Sequence, residues 1–378
     1  MSVPVTSAHS CRSRPVPVAA LVRALQLRDL TDPNEGPHAL QLLVGAAADA
    51  LATSWDCDVR VERSRPVVSL EDNYDRLGYG PDAVTRDARY TRYVSDTTML
   101  RSHTSAGVPP VLRQLAQHPP ARSVLLVLPG ICHRRDSIDR MHTSAPHQLD
   151  LWLVRRGGAR LDHDDLHTMV AALVEAMLPG SHWRWNRTEH PYTAGGREVE
   201  VIHGDRPVEI AECGLAAPEV LTRAGLDPAV WSGLALGMGL DRMLMLRKGV
   251  PDIRLLRSPD PRIDAQMQHL DPYHPVSDLP PATRDISLAV PADDDAEILG
   301  DRVRDALGDS ADLVEEVAVL SRTGYDDLPQ PARRRLGIRP DQCNVLLRLT
   351  LRPVDRTLTG DEANEIRDHV YAALHNGT

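Results

Sequence analysis

Residues 123–156 have the sequence SVLLVLPGICHRRDSIDRMHTSAPHQLDLWLVRR, in which two apolar runs flank a polar segment. Continuous apolar runs of this length, the first closed by Pro-Gly, predict buried strands at 123–131 and 147–156. Arg134 and Arg135 lie on the segment between them. A guanidinium there can hold a phosphate through two parallel N–H groups and neutralise charge that develops in phosphoryl or nucleotidyl transfer. The other interpretation is an ordinary solvated loop.

Three further segments carry candidate site residues. The glycines of SGLALGMGLDR (232–242) would let the backbone approach a ligand, and their spacing matches neither GxGxxG nor a Walker loop. LRSHTSAG (100–107) holds a polar cluster directly after an apolar stretch. HDDLH (163–167) places two histidines four residues apart, but no third ligand accompanies them, so we do not expect zinc. Tight packing or a turn explains the first two segments equally well.

The composition excludes several classes of protein. The chain has 378 residues, enough for two ordinary domains, and its net charge of −10 argues against a sequence-independent DNA binder. No apolar stretch reaches roughly 18 residues and no secretory signal is visible, so we expect a cytoplasmic protein without a membrane partner. The five cysteines form no CxxC pair, which disfavours a zinc knuckle or a disulfide framework.

Phenylalanine is absent from the chain. At a usual frequency of about 3–4%, a chain of this length would contain on the order of ten or more. A GC-rich genome does not explain the absence, because one phenylalanine codon ends in C. We infer that something excludes this residue.

Apolar periodicity predicts the remaining secondary structure. The expected elements are a short helix ending at Pro33, helices at 38–55, 111–120 and 163–178, two short strands within 58–70, a strand hairpin at 199–214 and a helix from Asp227. Pro, Asp and His then accumulate around 259–281, as in a linker. Beyond the linker we expect an α+β unit of ferredoxin-like type, with a strand (284–290), a helix (294–308), strands (313–321 and 343–352) and a helix (361–374).

Taken in chain order, these motifs resemble those of the class II aminoacyl-tRNA synthetases, and more narrowly phenylalanyl-tRNA synthetase in its single-chain, mitochondrial organisation. The resemblance implies an α+β catalytic domain at 38–270, with an antiparallel sheet flanked by helices, preceded by a loosely ordered extension at 1–37. The matching segments are NYDRL (73–77), LRSHTSA (100–106), HRRD (133–136), HQLD (147–150) and GMGLDRMLMLRKGVPDIR (237–254).

The C-terminal unit is similar to the ferredoxin-fold anticodon-binding domain of the same family, through PPATRDISL (280–288) and LRPVDRTLTGDEAN (351–364). The resemblance implies a tRNA-binding domain at 271–378. Arginines outnumber acidic residues between 322 and 356, which is typical of an RNA-binding surface, although a solvated basic loop has the same composition. The implied tRNA-binding residues are Arg284, Arg352 and Arg356.

The resemblance also implies ATP-dependent activation of phenylalanine or a close aromatic analogue, with Mg²⁺ as cofactor, and transfer to tRNA. Arg134 and Arg242 would be the catalytic residues and would bind the phosphates of ATP. Arg242 would also pack against the adenine ring. Two arginines and Mg²⁺ would stabilise the pentavalent phosphorus, and correct positioning of the two substrates would supply the rest of the rate acceleration. The implied ATP-binding set is Arg134, Asp136, His142 and Arg242. The implied amino-acid-binding set is His103, Ser105, Gln148, Asp150, His190, Tyr192 and Ala235. Glu198 and Glu209 are the implied partners for Mg²⁺ or ribose.

The chain departs from the family at aromatic positions. Pro146 stands where the family has an aromatic residue that stacks on adenine, and His190 and Tyr192 stand where it has two pocket phenylalanines. Ala235, which limits the para substituent of the substrate, is retained. The departures imply a more polar pocket that would admit a hydroxylated ring.

Three explanations stay open. In the first, the chain is a phenylalanine-free synthetase whose own translation does not need phenylalanyl-tRNA, which would suit a backup enzyme. Alternatively, it is a paralogue that activates another aromatic amino acid or loads another acceptor. In the third, it is a catalytically inactive sensor of amino acid or tRNA. The implied assembly is a monomer or a homodimer.

Overall fold

The computed structural model describes residues 15–87, 90–135, 137–204, 206–276, 280–353 and 356–377. Within them the strands are β1 Asp58–Val61, β2 Val67–Ser69, β3 Thr98–Leu100, β4 Val124–Ile131, β5 His147–Arg156, β6 Trp183–Arg187, β7 Thr193–His203, β8 Arg206–Ala216, β9 Trp231–Gly239, β10 Ala282–Pro291, β11 Val314–Gly324 and β12 Gln342–Leu351. The helices are α1 Val18–Gln26, α2 Ala39–Trp55, α3 Leu70–Asn73, α4 Val108–Gln117, α5 His163–Met177, α6 Pro218–Arg223, α7 Leu240–Lys248, α8 Pro261–Asp264, α9 Ala296–Leu307, α10 Gln330–Leu336 and α11 Gly360–Leu374.

A mixed sheet with the order β1-β4-β5-β9-β8-β7-β6 forms the large domain. The predicted antiparallel sheet is confirmed for every neighbouring pair in it except the edge strand β1, which runs parallel to β4. Helices α2 and α5 bury their apolar sides against one face of this sheet, and α4 and α6 cover the other. The sheet therefore has apolar cores on both faces, as an α+β domain of this size requires.

The central strand β5 contributes to both cores. Leu149, Leu151 and Leu153 belong to the core beneath α2 and α5, whereas Trp152 and Val154 belong to the opposite core. Alternation at period two explains this division. Because both faces of the strand are buried, its sequence is a nearly continuous apolar run, as predicted.

A smaller antiparallel sheet, with the order β10-β12-β11, forms the C-terminal unit. Helices α9 and α11 pack on it around a separate apolar core. The predicted sequence of strand, helix, strand, strand and helix is confirmed, and β12 lies between its two partners as in a ferredoxin-like sheet without its last strand. Helix α10, in the β11–β12 connection, was not predicted because its residues QPARRRL lack an apolar period.

Two sequence predictions differ from the structure. The helix predicted from Asp227 is wrong, since the chain turns there and enters strand β9, while helix α6 lies earlier. A central strand buried on both faces has no periodicity that separates it from a buried helix. The loosely ordered extension begins with residues 1–14, which lie outside the described residues. Its later part is well packed, with Leu30 and Thr31 fully buried. No helix among the described residues is both long and apolar enough to cross a membrane.

Candidate active site

A cavity of about 350 Å³ lies on the sheet where β5, β8 and β9 meet. Its walls combine segments that are far apart in the sequence, and Tyr79, which the sequence analysis did not single out, joins them. Nine of the predicted site residues line it: His103, Ser105, Arg134, His142, Gln148, Asp150, Tyr192, Glu209 and Arg242.

Strand register creates the space in this cavity. Gln148 lies opposite Gly239 and Asp150 opposite Gly237 on the neighbouring strand. A β-carbon at position 237 would lie 3.7 Å from Asp150 Oδ2 and 3.8 Å from the Tyr192 hydroxyl. Any larger side chain would fill the space between these polar groups, so glycine keeps the cavity open here.

The two predicted catalytic arginines approach the cavity from different elements. Arg134 lies on the connection between β4 and β5, called here the arginine loop (residues 132–146), and its Nε donates to the carbonyl of Ser102 at 2.7 Å. Arg242 lies in the first turn of α7, and its Nη1 donates to the carbonyl of Glu209 at 3.1 Å. Each guanidinium is held at one edge, which leaves its other N–H groups for phosphate oxygens.

Asp150 is the most deeply buried carboxyl group of the cavity, with 2% of the residue exposed. Thr104 Oγ1 donates to Oδ2 at 2.7 Å, and Trp152 Nε1 donates to Oδ1 at 3.4 Å. Burial raises the pKa of Asp150 to about 6, against the lowering effect of these hydrogen bonds. A cationic ligand stabilises the ionised form of such a carboxyl group, because its charge replaces the interaction with water that burial has removed.

His103 faces Asp150 across the cavity mouth as a neutral imidazole. Burial and the neighbouring charge of Arg134 lower the pKa of His103 to about 3. Its ring stacks on Tyr79 at a centroid distance of 5.7 Å, and Tyr79 in turn lies 6.4 Å from Tyr192. Tyr192 stacks on the fully buried Trp152 at 6.3 Å. This side of the cavity is therefore an aromatic wall that carries the Tyr79 and Tyr192 hydroxyl groups.

A family model described as the class II core domain of tRNA synthetases matches residues 54–267, more than half of the chain. The chain belongs to this family. Among curated relatives, the phenylalanine–tRNA ligase alpha subunit of Prochlorococcus marinus (strain MIT 9313) is 35% identical over 54% of this chain and 58% of its own length. The chloroplastic/mitochondrial phenylalanine–tRNA ligase of Arabidopsis thaliana is 28% identical over 89% of this chain and 77% of its own.

The chain thus spans little more than half the length of the cyanobacterial alpha subunits that it matches. Among solved structures, the pyrrolysyl-tRNA synthetase of Desulfitobacterium hafniense is 19% identical, with a TM-score of 0.45, over 59% of this chain and 74% of that chain. The predicted class II synthetase core is confirmed by the family match.

A buried polar network behind the class II core site was not predicted. Asp241 accepts from the backbone N–H of His147 at 2.6 Å, and its Oδ1 lies 2.8 Å from His147 Nδ1. Arg257 and the backbone N–H of Leu30 both donate to His147 Nε2. Burial would raise the pKa of Asp241, but His147 and Arg257 outweigh it and lower that pKa. The network fixes the start of β5 to the start of α7, and so sets Arg242 beside Gln148.

The structure corrects three predicted contacts of the synthetase site. Ala235 is fully buried opposite Trp152 in the register and does not line the cavity. His190 borders an adjoining groove instead, although its Nε2 lies 2.9 Å from Oε1 of Glu212, which does line the cavity. Glu198 also lies off the cavity wall, where Glu212 takes its place. The prediction for Asp136 concerns a residue outside those described.

A bulge on β8 places two glutamates on the cavity side of that strand. Val199 pairs with Ala211 and Glu200 with Glu209, so Ile210 is an extra residue on β8. The bulge lets Glu209 and Glu212 reach the same cavity despite their odd spacing. Burial and the charges of Glu212 and Glu198 raise the pKa of Glu209.

The remaining predicted residues have structural partners. His142 Nδ1 lies 2.7 Å from Asp139 Oδ2 at the cavity edge. Arg284 Nε donates to Asn364 at 2.8 Å, and Arg356 pairs with Glu362. Arg352 pairs with the buried Glu315 at 2.9 Å. Among the described residues, no group of three or more side chains forms a metal site at HDDLH or elsewhere.

Proposed function

We propose that this protein activates phenylalanine, or a close aromatic analogue, with ATP to form the aminoacyl-adenylate and then transfers the aminoacyl group to tRNA. One observation carries the proposal. A single cavity in a class II synthetase core holds two arginines from opposite elements beside a buried carboxyl group and an aromatic wall. Relatives named phenylalanine–tRNA ligase support the amino acid and the acceptor.

The arginines act on the phosphates. Arg134 binds the α-phosphate, and Arg242 binds the far end of the triphosphate and the adenine. Attack of the amino acid carboxylate on the α-phosphorus adds charge to its equatorial oxygens while pyrophosphate leaves. Two guanidiniums that are already held in place stabilise that charge without reorganisation. No covalent intermediate with the protein is needed, since positioning supplies the rest of the acceleration.

The amino acid binds at the aromatic end. Its ammonium group pairs with the Asp150 carboxylate, and Gln148, His103 and Ser105 orient its polar atoms. Its ring packs against Tyr79 and Tyr192. The pairing offsets the burial that raises the pKa of Asp150, so a ligand without an ammonium group binds poorly.

Glu209 and Glu212 fit a magnesium ion. Both carboxyl groups line the cavity beside Arg242, and burial together with the charge of Glu212 raises the pKa of Glu209. Magnesium commonly binds through one or two protein carboxylates together with substrate phosphates. The ion would supply further charge neutralisation at the triphosphate. Glu209 also accepts, through its backbone carbonyl, the hydrogen bond that orients Arg242.

Polar groups in the aromatic wall favour a second substrate, a ring that carries a hydroxyl group. The Tyr192 hydroxyl and the Asp150 carboxyl group both point into the space above Gly237. A substrate hydroxyl could hydrogen-bond there, whereas an unsubstituted ring leaves these groups without that partner.

ATP–pyrophosphate exchange tests the proposal without assuming an acceptor. Purified protein is assayed with phenylalanine, tyrosine, meta-tyrosine and β-substituted analogues, with Arg134→Ala as the inactive control. Highest exchange with phenylalanine supports the main proposal, and charging of tRNA is measured next. Highest exchange with a hydroxylated ring selects the second substrate. Exchange with none of them would leave only a binding protein and refute the enzyme.

A further inference from the structure

The arginine loop is held by the C-terminal unit as well as by its own strands. Its Ile138 is 6% exposed and belongs to the apolar core of that unit, among side chains of β10, β12 and α9. The backbone N–H of Val317, on β11, donates to the carbonyl of Ile138 at 2.8 Å. The tip of the loop is therefore part of a different domain from the strands that carry it.

Charged contacts fix both sides of this tip. Arg304, on α9, donates to the carbonyl of Ser137 at 2.5 Å. Arg140 pairs with Glu315 at 2.5 Å, and only 3% of the Glu315 side chain is exposed. A buried carboxylate of this kind is stable only with its cations in place, so the contact resists separation.

A third contact reaches the catalytic arginine itself. Asp301, on α9, has 2% of its side chain exposed and forms an ion pair with Arg92; Arg135 Nε lies 3.4 Å from its other oxygen. The same Arg92 donates to the backbone carbonyl of Arg134 at 3.3 Å. One aspartate of the C-terminal unit thus holds the side chain that holds the Arg134 backbone.

We propose that the C-terminal unit positions Arg134 for adenylate formation, with Asp301 acting through Arg92 and with Arg304 and Ile138 fixing the loop tip. The inference rests on the proposed function. Under it, the unit contributes to amino acid activation, a step that needs no tRNA. Asp301 is a positioning residue, since it reaches neither the cavity nor the reacting atoms.

Two variants test this inference in the full chain. Asp301→Asn removes the charge that orients Arg92, and Arg304→Ala removes the hydrogen bond to the Ser137 carbonyl at the loop tip without changing either apolar core. The matched control is Asp285→Asn, which breaks an exposed arginine–aspartate pair between β10 and β12 that has no hydrogen bond or ion pair to the described residues of the loop. Melting temperatures of all four proteins show whether each variant is folded.

We expect Asp301→Asn to lower kcat for pyrophosphate exchange on the order of tenfold while the KM for the amino acid stays within about twofold, because a displacement of about 1 Å from the productive geometry can cost as much as 100-fold in rate. Arg304→Ala should shift the same constant by less, and Asp285→Asn should not shift it. A rise in the KM for the amino acid with an unchanged kcat, or variants that match the control, would overturn the inference.

Hydrogen exchange separates this inference from the proposed function. In Asp301→Asn, the amides of Val317 and of residues 137–146 should lose protection, and in the control they should not. If the wild type shows no pyrophosphate exchange, the proposed function fails, whereas unchanged protection in a folded Asp301→Asn protein refutes the positioning contact alone.

Discussion

The two walls of the cavity are built in different ways. The strand wall, formed by β5 and β9, owes its geometry to backbone pairing, which places Asp150 opposite Gly237 within one continuous sheet. The loop wall, formed by the arginine loop, owes its geometry to Ile138, Ser137 and Arg140, which contact a second domain. The first wall lies within one sheet of the large domain, whereas the second depends on chain segments more than 150 residues away. Substitutions in the two walls should therefore change different kinetic constants, namely kcat for the loop wall and the KM for the amino acid for the strand wall.

The largest effect is expected at the loop wall. Arg134→Ala should lower kcat for pyrophosphate exchange on the order of 10²–10³-fold, as for the loss of one preorganised group that stabilises transition-state charge. Arg134→Lys keeps the charge but not the planar fork, so we expect an intermediate rate. Arg122→Ala, an exposed arginine near β1, serves as the control and should retain wild-type activity. Equal rates for alanine and lysine at position 134 would show that geometry at this wall does not matter.

The strand wall should respond in amino acid binding. Gly237→Val places methyl groups between Asp150 and Tyr192, where even a β-carbon is in contact, and should raise the KM for the amino acid on the order of tenfold or more. Gly237→Ala adds only that contact and should be milder. The KM for ATP should change little in both. A change in the KM for ATP alone would mean that the two walls do not have separate effects on binding of the two substrates.

The smallest effect concerns pH at the strand wall. Burial raises the pKa of Asp150 to about 6, so binding of an ammonium group should weaken as the pH falls through 6, by about tenfold at one unit below that pKa. Plots of kcat/KM for the amino acid against pH would show this fall, and Asp150→Asn should be nearly inactive and flat.

Asp150 should also make the stability of the fold depend on pH, in the direction opposite to its effect on amino acid binding. A pKa that is higher in the folded than in the unfolded chain means that stability is lost as the pH rises from about 4 to about 6. Asp150→Asn should therefore melt at a higher temperature than the wild type at pH 8, and at a similar temperature below pH 4. A lower melting temperature at pH 8 would contradict this account of the burial.

The strand wall was largely predictable from the sequence. Continuous apolar runs and the Pro-Gly boundary predicted β4 and β5, and the resemblance to synthetases named Gln148, Asp150 and Arg242. Local pattern is sufficient where a side chain is fixed by its own strand. It failed at Ile210, where one extra residue on β8 brings Glu209 and Glu212, three positions apart, to the same side of the strand.

The loop wall was predictable only in its chemistry. The pair Arg134–Arg135 indicated phosphate binding, but nothing near it in the sequence indicates that Asp301 and Val317 contact the same loop. Such contacts arise when two domains pack against each other. The hydrophobic periodicity of a short segment carries no information about them. His147 and Asp241 were missed for the same reason, since a buried pair 94 residues apart has no local signal.

The insertion of Ile138 into the C-terminal core has a consequence for synthesis of the protein. A ribosome makes every described residue that lines the cavity before it makes α9 and β11. A nascent or truncated chain that ends before residue 296 would carry the whole cavity and yet lack the partners of its arginine loop. Assembly of the site would then await the last quarter of the chain, so that an incomplete polypeptide is poorly able to consume ATP.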